Sequence, residues 1–193
     1  MQIAAVLLAA GGSRRMGRAK QLLEYQGEAL VRRAARTIIE AGFSMLHVVV
    51  GDQSAGVIRA IQDLDVTICE NPHWEKGIGT SIRAGVRSIR AAHPLADGIL
   101  IALTDQPGIA VSHFTALRSR FESHHCAVGS SYNDATGVPA IFSRAYFEEL
   151  MALPDDQGAK LLLSRPGIHV ETIPLTDAQD IDLPADYDRL LGR

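Results

Sequence analysis

The chain has 193 residues, 47% of them hydrophobic and 21% charged, with 19 Lys and Arg against 22 Asp and Glu, a formal charge of −3. That apolar content fills a core without a disulfide or metal staple, and the acidic balance lacks the basic field of a nucleic-acid binder. The length suits one domain over residues 1–193. Ile3–Ala9 is an unbroken apolar run followed by Gly11-Gly12, which predicts a strand buried on both faces. The run is too short to span a bilayer and has no positive flank, so it reads as a core strand rather than a signal peptide, and no membrane contact is expected. Over 28–40, apolar residues at Leu30, Val31, Ala34, Ala35, Ile38 and Ile39 keep a helical spacing that Gly42 can stop. A second strand is predicted at 45–50, a short helix at 54–62, a third strand at 66–69, a helix at 80–92 and a fourth strand at 99–103. Ser112 is read as the N-cap of a helix through Phe121, followed by strands at 127–128 and 138–142. Helices near 143–151 and 157–163, a strand at 169–173 and a helix over 184–191 complete the chain.

Strands alternating with helices imply an α/β fold of three layers with a mostly parallel sheet. Ligands of such sheets bind where loops leave the carboxyl ends of the strands. Three loops should open on that edge: those after the first strand, before Thr80 and after the fourth strand. Cys69 and Cys126 are far apart and form no CxxC pair; they read as buried free thiols, the usage of a reducing cytoplasm.

The first of these loops carries the chemistry. Leu8-Ala9-Ala10-Gly11-Gly12-Ser13-Arg14-Arg15-Met16-Gly17-Arg18-Ala19-Lys20 leaves the first strand with three glycines and four cations within ten residues. Glycines let a backbone turn sharply and present several N–H groups to one anion, and Arg and Lys add charge-assisted hydrogen bonds to phosphate. A basic cluster within an acidic whole suits a small anion such as a triphosphate. The loop is neither GxxxxGK[ST] nor GxGxxG. No GxSxG elbow, HExxH pair or Cys/His cluster offers hydrolase or zinc chemistry.

Leu8 to Leu22 fits the pattern LAAGxSxRMGxxKxL and resembles the MobA-like NTP transferase family, within it most the molybdenum cofactor cytidylyltransferases. Further segments follow in the family's order: Asn71-Pro72-His73-Trp74 with Gly77, Gly79, Thr80 and Ser81; Thr104-Asp105-Gln106-Pro107; Gly137-Val138-Pro139; Asp156-Gln157-Gly158-Ala159; and Asp180-Ile181-Asp182. The resemblance implies a Rossmann-like nucleotidyltransferase fold, an NTP substrate and Mg²⁺, with Mn²⁺ as a substitute. It assigns Arg15 and Lys20 to the triphosphate and its transition state, with Asp105 as a catalytic metal ligand and Asp182 as the second ligand, a role Asp180 could share. Leu8, Ala9, Ala10, Gly11, Gly12, Ser13, Gly79 and Ser81 would line the nucleotide with those two cations.

Alternatives stand beside several of these roles. Arg14 and Arg18 hold variable motif positions and read equally as solvated charges. Asp105 also suits a turn before Pro107, and Asp182 a cap before Pro184. Thr80 and Ser81 also suit simple helix caps. Alanine at Ala10, where guanylyl members carry glycine, favours CTP over GTP. The segments 137–139 and 156–159 resemble the acceptor side, with Asp155 where the family commonly has glycine. Trp74 reads as a packing residue and His124-His125 as a surface loop; His73 is a candidate acceptor contact.

The expected reaction is CMP transfer from CTP to molybdopterin bearing molybdenum, with pyrophosphate released and the product passed to a molybdenum hydroxylase in transient contact. The rivals are a guanylyltransferase, a cytidylyltransferase for another small phosphorylated acceptor, an NAD(P)-dependent oxidoreductase on a similar fold, and a non-catalytic insertion chaperone.

Overall fold

The first apolar run forms β1 (Ile3–Ala9), and all seven of its residues are buried. The computed structural model describes residues 1–13, 16–132, 135–176 and 180–192. After β1 comes a small antiparallel pair, β2 (Glu24–Tyr25) and β3 (Glu28–Ala29). The remaining strands are β4 (Leu46–Val50), β5 (Thr67–Glu70), β6 (Gly98–Leu103), β7 (Ala127–Tyr132), β8 (Ala135–Ser143) and β9 (Val170–Pro174). They join β1 in one sheet of order β5-β4-β1-β6-β8-β7-β9. Six strands run parallel; β8 alone is antiparallel, to both β6 and β7. Only two residues separate Tyr132 from Ala135 in sequence, too few for the crossover that a parallel pair requires.

The alternation of side chains along β1 divides the core. Ile3, Ala5, Leu7 and Ala9 face α1 (Leu30–Glu40), α2 (Ser54–Ile61) and, beyond them, α4 (Val111–His124), through Val31, Ala35, Ile38, Val57, Ile61, Phe114 and Phe121. Ala4, Val6 and Leu8 face α3 (Ile78–Ala92), α5 (Phe147–Met151) and α6 (Lys160–Leu163), through Ile82, Val86, Phe147, Leu150 and Leu162. The result is the expected three layers. Each fully buried Leu, Ile or Phe contributes about 1.5–3 kcal/mol of transfer free energy. Helix α7 (Pro184–Leu190) belongs to a third cluster, where Tyr187 and Ile181 meet Met16, Leu23 and Leu30. Among the described residues no helix is long and apolar enough to cross a membrane.

Several elements differ from the sequence reading. Helix α1 starts at Leu30 because Glu28 and Ala29 pair with Tyr25 and Glu24 as strand. Gly42, at φ +89°, ends it as expected. Ser112 is not a cap: α4 begins one residue earlier behind Ala110, with no side-chain cap, and runs on until His125 turns left-handed at φ 56°. The expected helix over 143–151 is a 3₁₀ turn, Arg144–Tyr146, followed by α5, and that over 157–163 shortens to α6.

One core residue carries a pH consequence. His47 on β4 is fully buried, with Nδ1 2.8 Å from Ser88 Oγ, its ring edge-on to His93 and Nε2 without a hydrogen-bond partner among the described residues. Burial, with the nearby His93 as a lesser cause, lowers its pKa from 6.5 to about 4. The unfolded chain therefore takes up this proton near pH 6.5, and the folded chain only near pH 4. The stability this residue contributes is full above pH 6.5 and is lost as pH falls towards 4, by about 2–3 kcal/mol. Urea midpoints should fall across that window in the wild type and more shallowly in His47→Leu. Equal slopes would mean that His47 does not set the acid sensitivity.

Candidate functional site

The carboxyl ends of β1 and β6 and the amino end of α3 enclose a cavity of about 310 Å³. It is lined by Leu8, Ala10, Gly11, Gly12, Lys20 and Gln21 after β1, by Trp74, Glu75, Gly77, Ile78 and Ser81 around the start of α3, and by Leu103, Thr104 and Asp105 at the end of β6. The three loops singled out from the sequence do meet on one edge of the sheet.

The glycine loop is held by its own side chains. Ser13 turns left-handed at φ 50°, and its carbonyl accepts from the Met16 N–H at 2.9 Å. Its Oγ accepts from the Lys20 N–H at 2.9 Å and donates to Gln21 Oε1 at 3.3 Å. Gln21, 1% exposed, donates through Nε2 to the carbonyls of Ala9 (3.1 Å) and Gly11. It fastens the end of the loop to its start. Gln21→Leu removes the donor from two carbonyls, one of them in a buried bond, a change worth about 1–3 kcal/mol. The variant should melt several degrees lower by calorimetry; a wild-type melting temperature would show that the loop holds its shape without this side chain.

Trp74, in the 3₁₀ turn Trp74–Lys76, lies against Gly12 and Gly51. A methyl group at Gly12 would stand 2.6 Å from the indole Cζ3, and one at Gly51 2.7 Å from Cγ. The indole packs, as expected, but it also lines the cavity. Asn71, 4% exposed, donates through Nδ2 to Thr80 Oγ1 (2.8 Å) and Ser81 Oγ (2.9 Å), and its Oδ1 accepts from the His73 N–H at 3.0 Å. Thr80 donates to the Gly77 carbonyl at 2.8 Å, binding the first turn of α3. Ser81 lines the cavity.

The far end is charged. Lys20 Nζ lies 2.5 Å from Asp105 Oδ2 and 3.2 Å from Asp182 Oδ1. Burial works against the ammonium, but the two carboxylates outweigh it and raise its pKa above the ordinary value. Asp105 Oδ1 is buried and has no hydrogen-bond partner among the described residues. Asp180 accepts from Gln106 Nε2 at 2.9 Å; its own burial, with the charges of Asp105 and Asp182, raises its pKa.

The tail is tied to the loop. The Ile181 N–H donates to the Asp105 carbonyl at 2.9 Å, and Tyr187 Oη donates to the Glu24 carbonyl at 2.6 Å. The Arg18 guanidinium stacks 5.1 Å from the centre of the Tyr187 ring. Asp186 Oδ2 accepts from the N–H groups of Asp182 (3.1 Å) and Leu183 (2.8 Å). The capping work before Pro184 thus falls to Asp186, and the Asp182 carboxylate faces Lys20.

Of the residues assigned from the sequence, Leu8, Ala10, Gly11, Gly12, Lys20, Ser81 and Asp105 line the cavity. Asp182 joins them through Lys20. Ala9 sits in the core and reaches the site through its carbonyl; Ser13 shapes the loop. Gly79 instead packs against the 154–157 segment, its N–H donating to the Asp155 carbonyl at 2.9 Å. Asp155 keeps an ordinary backbone and pairs with Arg83. Arg14 and Arg15 lie outside the described residues. His124 and His125 are exposed at the end of α4, as expected of a surface loop.

Asp105 and Asp182 present two hard carboxylates to one ammonium, and Asp105 Oδ1 is buried without a hydrogen-bond partner among the described residues; such a donor set fits a hard divalent cation such as Mg²⁺ or Mn²⁺. Among the described residues no group of three or more metal-binding side chains is found.

Residues 5–170 match the model of the MobA-like NTP transferase domain. Purine catabolism protein PucB of Bacillus subtilis is 33% identical, over 95% of this chain and 93% of its own. Nicotine blue oxidoreductase of Paenarthrobacter nicotinovorans is 30% identical, over 98% and 96%. Two crystal structures of Rv0371c from Mycobacterium tuberculosis superpose with TM-scores of 0.86 and 0.82 at 31% and 29% identity, each covering 100% of this chain and 98% and 99% of theirs; the second is a complex with manganese.

Proposed function

The chain belongs to the MobA-like NTP transferase family, and from that premise we propose that it transfers CMP from CTP to the phosphate of molybdopterin bearing molybdenum, releasing pyrophosphate. The observation that carries this reading is the convergence of Lys20, Asp105 and Asp182 at one end of a cavity walled by Gly11 and Gly12. In it, the triphosphate lies along the glycine loop, with its charge met by Lys20 and by Arg15. Ser81 and the backbone at Ala10 bound the base, and the methyl of Ala10 narrows the pocket towards a pyrimidine.

An oxygen of the acceptor phosphate attacks the α-phosphorus in line. A new P–O bond forms as the bond to the β-phosphate bridge breaks, and pyrophosphate leaves with the electron pair. No covalent enzyme intermediate is needed. Lys20 offsets the charge that builds on the phosphate oxygens in the transition state. Asp105 and Asp182 would hold a divalent cation, which supplies further charge stabilisation at the phosphates. Asp180 joins them as a neighbour of the metal carboxylates, and Gly79 acts by seating the first turn of α3. The reaction takes place in the cytoplasm, and the product passes to a molybdenum hydroxylase.

The test is pyrophosphate release across the four NTPs, with molybdopterin present and absent. CTP consumption that requires molybdopterin is expected. Consumption of GTP with CTP ignored would replace the cytidylyl reading by the guanylyl one. The relative named as an oxidoreductase motivates a second reading, NAD(P)-dependent redox chemistry. The loop lacks GxGxxG, and a titration showing no NAD(P)H binding would remove that reading.

A further inference from the structure

Lys20 does more in this fold than face a triphosphate. Its ammonium touches both carboxylates that the proposed function assigns to the metal, at 2.5 Å and 3.2 Å. These contacts join residues 85 and 162 positions apart, so the arrangement belongs to the tertiary fold and not to a local turn. The pair with Asp105 is largely shielded from water, with side chains 18% and 14% exposed. Asp182 is more open, 39% exposed, yet two carboxylates held on one ammonium repel one another without that cation, and an ammonium on a flexible four-carbon stem neutralises them reversibly.

We propose that Lys20 is a resident counter-cation of the carboxylate pair, so that a divalent ion and the Lys20 ammonium exclude one another there and the metal enters only as nucleotide draws Lys20 away. This inference rests on the metal reading of Asp105 and Asp182. A divalent ion on that pair competes with Nζ for Asp105 Oδ2 and Asp182 Oδ1, and two cations at such range repel. The nucleotide supplies the alternative partner. Gly11 and Gly12, along which its phosphates would lie, line the same cavity as Lys20. The ammonium then moves from carboxylate to phosphate, and the carboxylates pass to the metal. Lys20 thereby couples the two ligands: each binds weakly alone and tightly with the other.

Mn²⁺ binding, read by electron paramagnetic resonance on the full chain, tests this. Wild type should bind Mn²⁺ weakly by itself and at least tenfold more tightly with α,β-methylene-CTP. Lys20→Met should bind Mn²⁺ alone at least tenfold more tightly than wild type, and the nucleotide should add little. Lys20→Gln, a polar and less demanding replacement, should behave as Lys20→Met does, and Lys20→Arg, which keeps the charge, should behave as wild type. Adding Asp182→Asn to Lys20→Met should cancel the gain. If wild type binds Mn²⁺ with nucleotide but neither neutral variant binds the free ion more tightly, the exclusion is overturned and the metal reading survives. If no form binds Mn²⁺ even with nucleotide, both fall.

Discussion

Asp105→Asn should lower turnover by about 10²–10³-fold while leaving the circular dichroism spectrum unchanged. The substitution keeps the shape of the side chain and removes its charge. In the wild type, Asp105 leaves β6 at the cavity with one oxygen on Lys20 and the other buried without a hydrogen-bond partner among the described residues. A buried carboxylate oxygen with nothing to accept from is costly, and its retention fits a ligand that arrives with substrate. Asparagine loses the charge that would hold a divalent cation and leaves Lys20 with Asp182 alone. Loss of one electrostatic contact to a phosphoryl transition state is worth roughly 10²–10³-fold. Pyrophosphate release, measured against Mg²⁺ concentration, reads it: higher Mg²⁺ should not restore the rate, and Asp105→Glu should recover part of it. A variant that keeps more than a tenth of wild-type turnover would return Asp105 to the simpler role of opening the turn before Pro107.

Gly79→Ala should cost about 3 kcal/mol and lower the melting temperature by about 6–12 °C. A Cβ at this position overlaps the Pro154 carbonyl oxygen and stands 3.0 Å from those of Asp155 and Gln157. All three obstacles are backbone, so no rotamer change relieves them. The hydrogen bond from the Gly79 N–H to Asp155 would be strained as the segments part. Separation moves Ile78 and Ser81, so nucleotide affinity should fall with stability. Gly158→Ala is the control: the nearest atom to its Cβ is 3.8 Å away, on the side chain of Ile78, and its effect on melting should be under about 0.5 kcal/mol. A Gly79→Ala protein as stable as Gly158→Ala would show that the 154–157 loop yields freely.

Much of this arrangement could be read in the residues. Continuous apolar runs at Ile3–Ala9 and 45–50 are what strands covered on both faces require, and the strands they form, β1 and β4 (Leu46–Val50), are fully buried. The glycine loop was legible because its residue types are rare together after a strand. Gln21 was not, since nothing in a lone glutamine shows that its amide will find the carbonyls of Ala9 and Gly11. Asn71 is visible beside Pro72, but its grip on Thr80 and Ser81 spans a turn whose path depends on tertiary packing. Trp74 is legible as packing; its place against Gly12 and Gly51 depends on two separate strands ending side by side. The antiparallel β8 was hidden because periodicity reports burial and not direction. The short strands β2 and β3 have no period to detect.

The strap formed by Ile181 and Tyr187 bears on how the protein is made. Lys20 meets Asp182 across 162 positions of chain, and the Ile181 N–H fixes the carbonyl of Asp105. A ribosome-bound chain that has already built β1, β4 and β6 can therefore shape the glycine loop, but it cannot close the charged end of the cavity before residue 182 emerges. Competence for chemistry should arrive only once residues 181–187 have emerged, and truncations that stop short of Ile181 should yield a sheet that folds and a cavity that stays open on one side.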